Sequence, residues 1–525
     1  MIKKYSNSIF TTILKSKLLF LVVITSFLIY LILGTGLHGD DLSTIVQFSD
    51  WSFLEWVTPN PVRQEIFLLS FPSYLLFFWA YWLFENNFYH LYDLIKILMH
   101  LFFLWSSYQF FKNYIPRDRA IIASIIFILN PIHDATIYWY MCLPYLFSTS
   151  LILVAHKLIN SNYLKAGSLI CALGAFSFYS SPPYILGLSV IFLIERNYKK
   201  FLIFLMPGIT YIFFYIGMKI FTQGVERRFD ISLGFENIIQ NLFLQPITMI
   251  DSFIGPGYFL KIISSIHSIS IVGLVISIIL GVYANNFFKR LTPPSHFKDK
   301  KLLIAVFLVL IISFAMYSIT GLYNHSPFNL GNRSTLYGSL VFAVIFSYFI
   351  PARKTGSLIF LIFFIIPSVG LSEHWKEWNQ NQLTVTHQVK NHSLLSSLPL
   401  DSLVFVKGNF YSELGAYSHI EFLIMPWTLK AMTPEGSQMI ALTNYIEINE
   451  MGVIIDKKWS KQINLSNNLF IYDSNNNSLV QISKDDLISQ LSNQPKIIRH
   501  WIQLLEGTKA HEILISIYPR ISYIF

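Results

Sequence analysis

Long apolar runs separated by short basic segments constrain this chain more than any other feature. The first covers residues 18–36 and follows Lys3, Lys4, Lys15 and Lys17. A membrane crossing needs roughly 20 apolar residues, and comparable runs recur at 90–111, 201–222, 266–286, 302–322, 335–351 and 357–371. Two longer runs, 120–155 and 166–194, are interrupted by "NPIHDATIYW" and "SSPPY". Each is bounded on both sides by basic residues: Arg117 and Arg119 with Lys157, then Lys165 with Arg196, Lys199 and Lys200. Basic loops stay in the cytoplasm, so each broken run is expected to cross outward and return as two short spans.

This reading predicts a polytopic α-helical membrane protein with about eleven transmembrane helices and a cytoplasmic N-terminus. The first run lacks an A-x-A cleavage site and reads as a retained span. Composition agrees, since 13% charged residues in 525 cannot solvate a soluble surface of this size, whereas 54% are hydrophobic. Nineteen Lys and Arg fall in the predicted inner segments and five in outer loops before residue 372. The net charge of +9 is thus dispersed among loops, and no basic patch suggests a nucleic-acid partner. The segment 66–84, "IFLLSFPSYLLFFWAYWLF", is long enough to cross. A crossing there would move every later basic loop to the wrong side, so it is read as a proline-broken aromatic hairpin at the outer interface. Cys142 and Cys171 lie inside apolar segments and suggest packing rather than a disulfide or zinc site.

The domain organisation follows. Residues 1–371 form the membrane domain, with 37–89 as a first outer loop containing interfacial helices. Residues 372–525 are polar, with short β-branched runs such as "SLVFVKG", "LFIYDS" and "ILISIY" and helical stretches near 481–508. They predict an α+β domain, placed on the outer face by the odd number of crossings. No internal repeat supports an inverted-repeat transporter.

Charged groups near hydrocarbon cost about 2.5–3.5 kcal/mol at a helix centre on insertion scales, so those at the outer ends of the runs need a reason. "GTGLHGDDLS" places His38, Asp40 and Asp41 just beyond the first run. Adjacent carboxylates point apart on any regular element, so one could serve as a base while the other caps the helix that follows. Two loop carboxylates capping an interfacial helix is the plain alternative. His133 and Asp134 lie in the turn of the first broken run, where Asp134 could equally cap a helix from Ala135. Arg333 stands at the outer start of a run, where its planar fork suits a phosphate and snorkelling to the interface is the alternative. Arg63, Arg227 and Arg228 are further cations of the outer loops. Asp93 and Lys96, three apart on a helix, read as an internal salt bridge, and His90 and His100 as hydrogen-bonded structural residues. His38, Asp40, His133 and Asp134 could be gathered around a divalent metal, but their spacing matches no metal motif. No cofactor is otherwise indicated.

The order of these segments resembles the GT-C superfamily of membrane glycosyltransferases, in its protein O-mannosyltransferase-like branch. "LHGDDLS" is similar to the acidic motif after the family's first span. "NNFYHLYDLIKILMHLFFLW" and "RAIIASIIFILNPIHDATIYWYMCLPYLF" look like two later segments, and "GNRSTLYGSLVFAVIFS" like a third. The chain departs from the pattern in carrying Asp134 where Glu is commoner, in "WYMCLP" where an arginine follows the Trp, and in "SFYSSPPY" without a Lys-Glu pair. The resemblance covers residues 1–371. It implies an inverting transfer of a sugar from a polyprenyl-phosphate-linked donor to a hydroxyl of a glycan, lipid or protein acceptor at the outer face of the plasma membrane. It further implies Asp40 or Asp41 as base, Asp134 positioning acceptor or base, and Arg333 stabilising the departing phosphate. Arg63, Arg227 and Arg228 would be substitutes for that last role, and His38 and His133 would line the substrate site. An Ile, Asn, Lys and Phe bias points to an AT-rich bacterial genome and hence to undecaprenyl phosphate. A transporter or flippase, or a polymerase or ligase, of lipid-linked glycans is the competing expectation. A transporter should hold its ionisable groups near mid-membrane, with access from both sides.

Overall fold

The structure, a computed structural model, describes residues 22–47, 89–221, 235–293, 300–320, 325–433, 437–443, 445–449, 453–456, 461–464 and 468–492, with positions 509, 512, 513 and 516. The hairpin expected at 66–84 lies outside the described residues, as do Arg63, Arg227 and Arg228.

Helices dominate. In chain order they are α1 (Val22–Ile32), α2 (Asp40–Gln47), α3 (Tyr89–Phe111), α4 (Arg117–Leu129), α5 (Asp134–Tyr138), α6 (Leu143–Asn160), α7 (Leu164–Ser177) and α8 (Ser181–Ile194). There follow α9 (Tyr198–Phe221), α10 (Phe235–Ile254), α11 (Pro256–His267), α12 (Ile271–Phe288), α13 (Lys300–Thr320), α14 (Leu336–Phe349) and α15 (Lys354–Lys390). Among the described residues, seven helical stretches are long and apolar enough to cross a membrane, and α1, α7 and α8 are shorter apolar helices.

Both broken runs break where the sequence indicates. α7 ends at Ser177 and α8 starts at Ser181 with prolines in its first turn, where the missing N–H groups would have had no intrahelical partner. Asn130 and Pro131 end α4, and the chain then passes through a 3₁₀ turn (Pro131–His133), α5 and a second 3₁₀ turn (Tyr140–Cys142) before α6. α2 begins at Asp40 itself and α5 at Asp134, one or two residues earlier than expected.

Small residues let the helices approach. A Cβ on Gly187 would overlap the backbone of Val309, and one on Gly370 would lie 1.8 Å from the Ser265 carbonyl. Such contacts replace the hydrophobic driving force that lipid removes. At the far end of the bundle the buried Arg119 donates to the carbonyls of Thr292, Ser347, Tyr348 and Ile350. It thereby joins the start of α4 to the segment after α12 and to the end of α14, whose last carbonyls lack helical partners.

The compositional change at residue 372 falls inside α15, a continuous 37-residue helix. A π turn at Leu361–Ile365 precedes Pro367, as expected where a proline removes one donor and crowds the preceding turn. Beyond α15 and a short turn of helix, α16 (Ser393–Ser396), lies a sheet in the order β4-β1-β8-β9. β1 (Ser402–Lys407) pairs in parallel with β4 (Ser437–Ala441) and with β8 (Leu469–Asp473); β9 (Ser478–Gln481) is antiparallel to β8. Its centre, "SLVFV", is buried on both faces, which suits a central parallel strand. The excursion between β1 and β4 holds a hairpin of β2 (Tyr411–Leu414) and β3 (Tyr417–Glu421), and then α17 (Pro426–Met432). β5 (Ile446–Ile448), β6 (Val453–Asp456) and β7 (Lys461–Asn464) form a separate antiparallel sheet, and α18 (Lys484–Ser492) follows β9. "SLVFVKG" and "LFIYDS" are therefore strands, whereas "ILISIY" lies largely outside the described residues.

Candidate functional site

The loop joining α1 to α2 is held from below by an ion pair. Asp93 and Lys96 on α3 lie 2.8 Å apart and are buried. The Asp93 carboxylate accepts from Gly34 N at 2.7 Å and Gly36 N at 3.1 Å, and the Lys96 ammonium donates to Thr35 Oγ1 and Gly36 O, both at 2.7 Å, and to Tyr138 O. These bonds satisfy polar groups that the end of α1 would otherwise leave unpaired in an apolar setting. The salt bridge expected from the i, i+3 spacing thus fixes the entry to the acidic motif. His100, one turn further on, has its Nδ1 2.6 Å from Lys96 O.

Gly39 turns the chain into α2 at φ +52°. A Cβ there would meet Leu330 and the Trp139 ring, so the motif is pressed against the two turns that carry Trp139 and Arg333. Asp40 and Asp41 then diverge, as adjacent helical residues must. Asp41 is buried, with its oxygens accepting from His38 N and Met141 N, each at 2.9 Å. Burial pushes its carboxyl up to about 8 against the pull of those two amides and of Lys96. Asp40 is partly exposed and accepts from the Trp427 indole N–H at 2.7 Å.

His38 is fully buried. One ring nitrogen faces the Thr35 carbonyl, and the other accepts from the Gln382 amide at 2.8 Å. Desolvation lowers its pKa to about 3, so the ring is a neutral brace. Its backbone carbonyl accepts from Trp139 Nε1 at 2.8 Å, and the Arg333 guanidinium lies over the Trp139 ring, 4.9 Å from its centre. Arg333 is partly exposed and donates to Leu330 O. Arg333, Asp41, Asp40 and Asp134 all lie within electrostatic reach of Cys142. Asp41, through Met141 N, and Arg333, over the Trp139 ring, are thus both tied to the Tyr140–Cys142 turn and the residue before it, with Asp40 next to Asp41.

Asp134 is a different kind of residue from Asp40. It is fully buried, and its oxygens accept from four donors: Lys261 Nζ at 2.5 Å, Asn332 Nδ2, Trp375 Nε1 at 2.7 Å and His419 Nε2 at 2.7 Å. The helix-capping alternative is not what its side chain does. Asn329 N donates to His419 Nδ1 at 3.1 Å, which leaves Nε2 as the protonated nitrogen, and burial keeps the imidazole pKa below its ordinary value. Lys261 also bonds the Pro327 carbonyl. One carboxylate thus ties α5, α11, the Leu330–Thr335 turn, α15 and β3 together. His133, beside Asp134 in the chain, has its Nδ1 2.6 Å from Ser339 Oγ and its ring buried.

His38, Asp40, His133 and Asp134 do not form a ligand set, because both His38 nitrogens and both Asp134 oxygens are already engaged. Among the described residues no group of three or more His, Cys, Asp or Glu is arranged to hold a metal ion.

Lys261, Asn332, Trp375, His419 and Trp427 did not stand out as site residues in the sequence. Lys261 carried a signal, being a lone lysine in the apolar "PGYFLKIISSIH", where an unpaired ammonium would be costly. His419 and Trp427 carried none, since they reach the site from a separate domain. No family model, curated protein or solved structure matches the chain.

Proposed function

We propose that the protein is an inverting glycosyltransferase of the GT-C type that moves a sugar from a polyprenyl-phosphate-linked donor to an acceptor hydroxyl. The observation that carries this reading is that the acidic motif and Arg333 meet at one place at the end of an apolar helix pair: Gly39 packs on Leu330 and Trp139, Asp41 accepts from Met141 N, and Arg333 lies over the Trp139 ring. There a donor anchored in lipid and an acceptor from water could meet. The order of motifs in the sequence supports it independently.

In this reading Asp40 is the base, because it is the partly exposed member of the acidic pair. It takes the proton of the acceptor hydroxyl as that oxygen attacks the anomeric carbon, and the bond from that carbon to the phosphate oxygen breaks with its electrons going to the phosphate. Arg333, kept at a fixed angle by Trp139, offers planar donors to the charge that develops on the leaving phosphate. Asp41 holds the loop through His38 N and Met141 N. Asp134 positions the surrounding elements and takes no proton, since both its oxygens are saturated.

The membrane arrangement that goes with this mechanism has eleven crossings, a cytoplasmic N-terminus and the site and C-terminal domain on the outer face of the plasma membrane. It rests on the excess of basic residues in alternate loops. The chemistry is tested by transfer from radiolabelled polyprenyl-phosphate hexoses and pentoses in membranes carrying the parent protein, Asp40→Asn or Arg333→Ala. Removing the base should lower the rate at least 100-fold, from the ordinary scale of general-base catalysis, and removing the guanidinium by a similar factor. Full transfer by Asp40→Asn would refute the mechanism.

A further inference from the structure

The strand β1 does not pass directly to its parallel partner β4. It ends at Gly408 and Asn409, both at positive φ, and the chain makes an excursion over residues 408–436 before β4 begins. Both elements of this crossover reach the membrane helices. β3 sends His419 to Asp134, and α17 lies against α2, where Trp427 Nε1 donates to Asp40 Oδ1 at 2.7 Å and Thr428 Oγ1 to Gly39 O at 3.4 Å. The indole nitrogen is a donor only, so this bond requires Asp40 to offer an acceptor oxygen and is stronger when the carboxyl is ionised.

We infer that the β1–β4 crossover of the C-terminal domain completes the transfer site, with Trp427 as a positioning residue that holds the Asp40 carboxylate and keeps it ionised. The inference rests on Asp40 being the base. A base must be unprotonated to act, and a donated N–H favours that form. The titratable groups that face Asp40 include Asp41 beside it, Cys142 and Arg333 on the turns near the start of α2, and Lys430 on α17, which is exposed. Asp41 keeps its proton up to about pH 8 and so places little charge beside Asp40 below that pH, which leaves the indole N–H acting on a carboxylate whose acidic neighbour is neutral. The arrangement also makes the C-terminal domain a working part of the site, because it supplies the indole N–H that Asp40 accepts.

Trp427→Phe keeps an aromatic ring and deletes the N–H. The first measurement follows the infrared carboxyl band of Asp40, isolated as the difference between a protein and its Asp40→Asn counterpart, across a pH titration of the full chain. The midpoint should rise by about one pH unit in Trp427→Phe. An unmoved midpoint would overturn the inference whatever the transfer assay gives. The second measurement is the pH dependence of transfer, whose acidic limb should move up by the same amount with the rate recovering at high pH. A rate lowered evenly with an unmoved limb would show a merely structural tryptophan and also overturn it. Trp427→Tyr carries the same readouts should the Phe variant fail to accumulate. Asp40→Asn protein that still transfers, with the infrared shift intact, would overturn the assignment of Asp40 as base while leaving the hold of Trp427 on that carboxylate in place.

Discussion

Asp40 and Asp134 are both aspartates beside apolar helices, and their neighbours give them opposite characters. The four donors on Asp134 leave it nothing to accept from a substrate, and the Lys261 ammonium beside it has no exposure to water. Removing one partner of a buried ion pair costs about 3–5 kcal/mol, because the other charge stays buried without compensation. We therefore expect Asp134→Asn to lower stability by that amount in detergent unfolding, whereas Asp40→Asn should leave it within about 0.5 kcal/mol, as for other substitutions outside the core. Equal stabilities would show that Asp134 is no brace. Asp41 gives a pH dependence with an unusual sign. Its folded-state pKa of about 8 lies above the ordinary 3.8, so between these values the folded chain holds a proton that the unfolded chain has lost. Its contribution to stability is complete below about pH 4 and is lost as the pH rises toward 8. Unfolding measured over this window should decline more steeply for the parent than for Asp41→Asn, which cannot titrate. Parallel curves would contradict the buried carboxyl. The acidic pair was legible in the sequence as a candidate base, but which member is buried was not, because adjacent residues share every local property and differ only in what packs over them.

At the level of elements, apolar length and punctuation were enough to foresee most helices. "SSPPY" and "NPIH" mark breaks through residues whose backbones cannot continue a helix, and both breaks occur within a residue or two of the expected place. The division at residue 372 was a statement about polarity, and a helix can change polarity without ending, so α15 carries the chain from apolar to polar surroundings in one rod. That rod depends on a close crossing with α11. A methyl group on Gly370 would meet the Ser265 carbonyl at 1.8 Å, and backbone cannot yield as a flexible side-chain end can. Gly370→Ala should cost at least the 1–3 kcal/mol typical of overpacking, read as a lowered unfolding midpoint. Because α11 carries Lys261 and α15 carries Trp375, the same substitution should weaken the Asp134 cluster. An unchanged midpoint would mean that the two helices can separate freely.

For the whole molecule, the proposed sidedness makes a direct prediction. A membrane-impermeant maleimide applied from outside should label Asn476→Cys, exposed in the turn between β8 and β9, and should label Ser161→Cys, exposed between α6 and α7, only after the membrane is opened. Labelling of both from outside would overturn the proposed alternation of loops. The contact between the helical bundle and the C-terminal domain combines two polar links, His419 with Asp134 and Trp427 with Asp40, with apolar packing of Leu414, Tyr417 and Ile420 against the bundle core.

What the sequence determined by itself was a chain dominated by long apolar helices, since apolar runs of that length fold as helices and turn-forming residues end helices wherever they occur. Those are local or compositional constraints, readable a window at a time. Tertiary structure alone decided which carboxylate is saturated and which stands partly open, and which residues of the C-terminal domain attend them. Burial and hydrogen-bond partners depend on segments as far apart as Asp134 and His419, and no local pattern in the chain encodes their meeting.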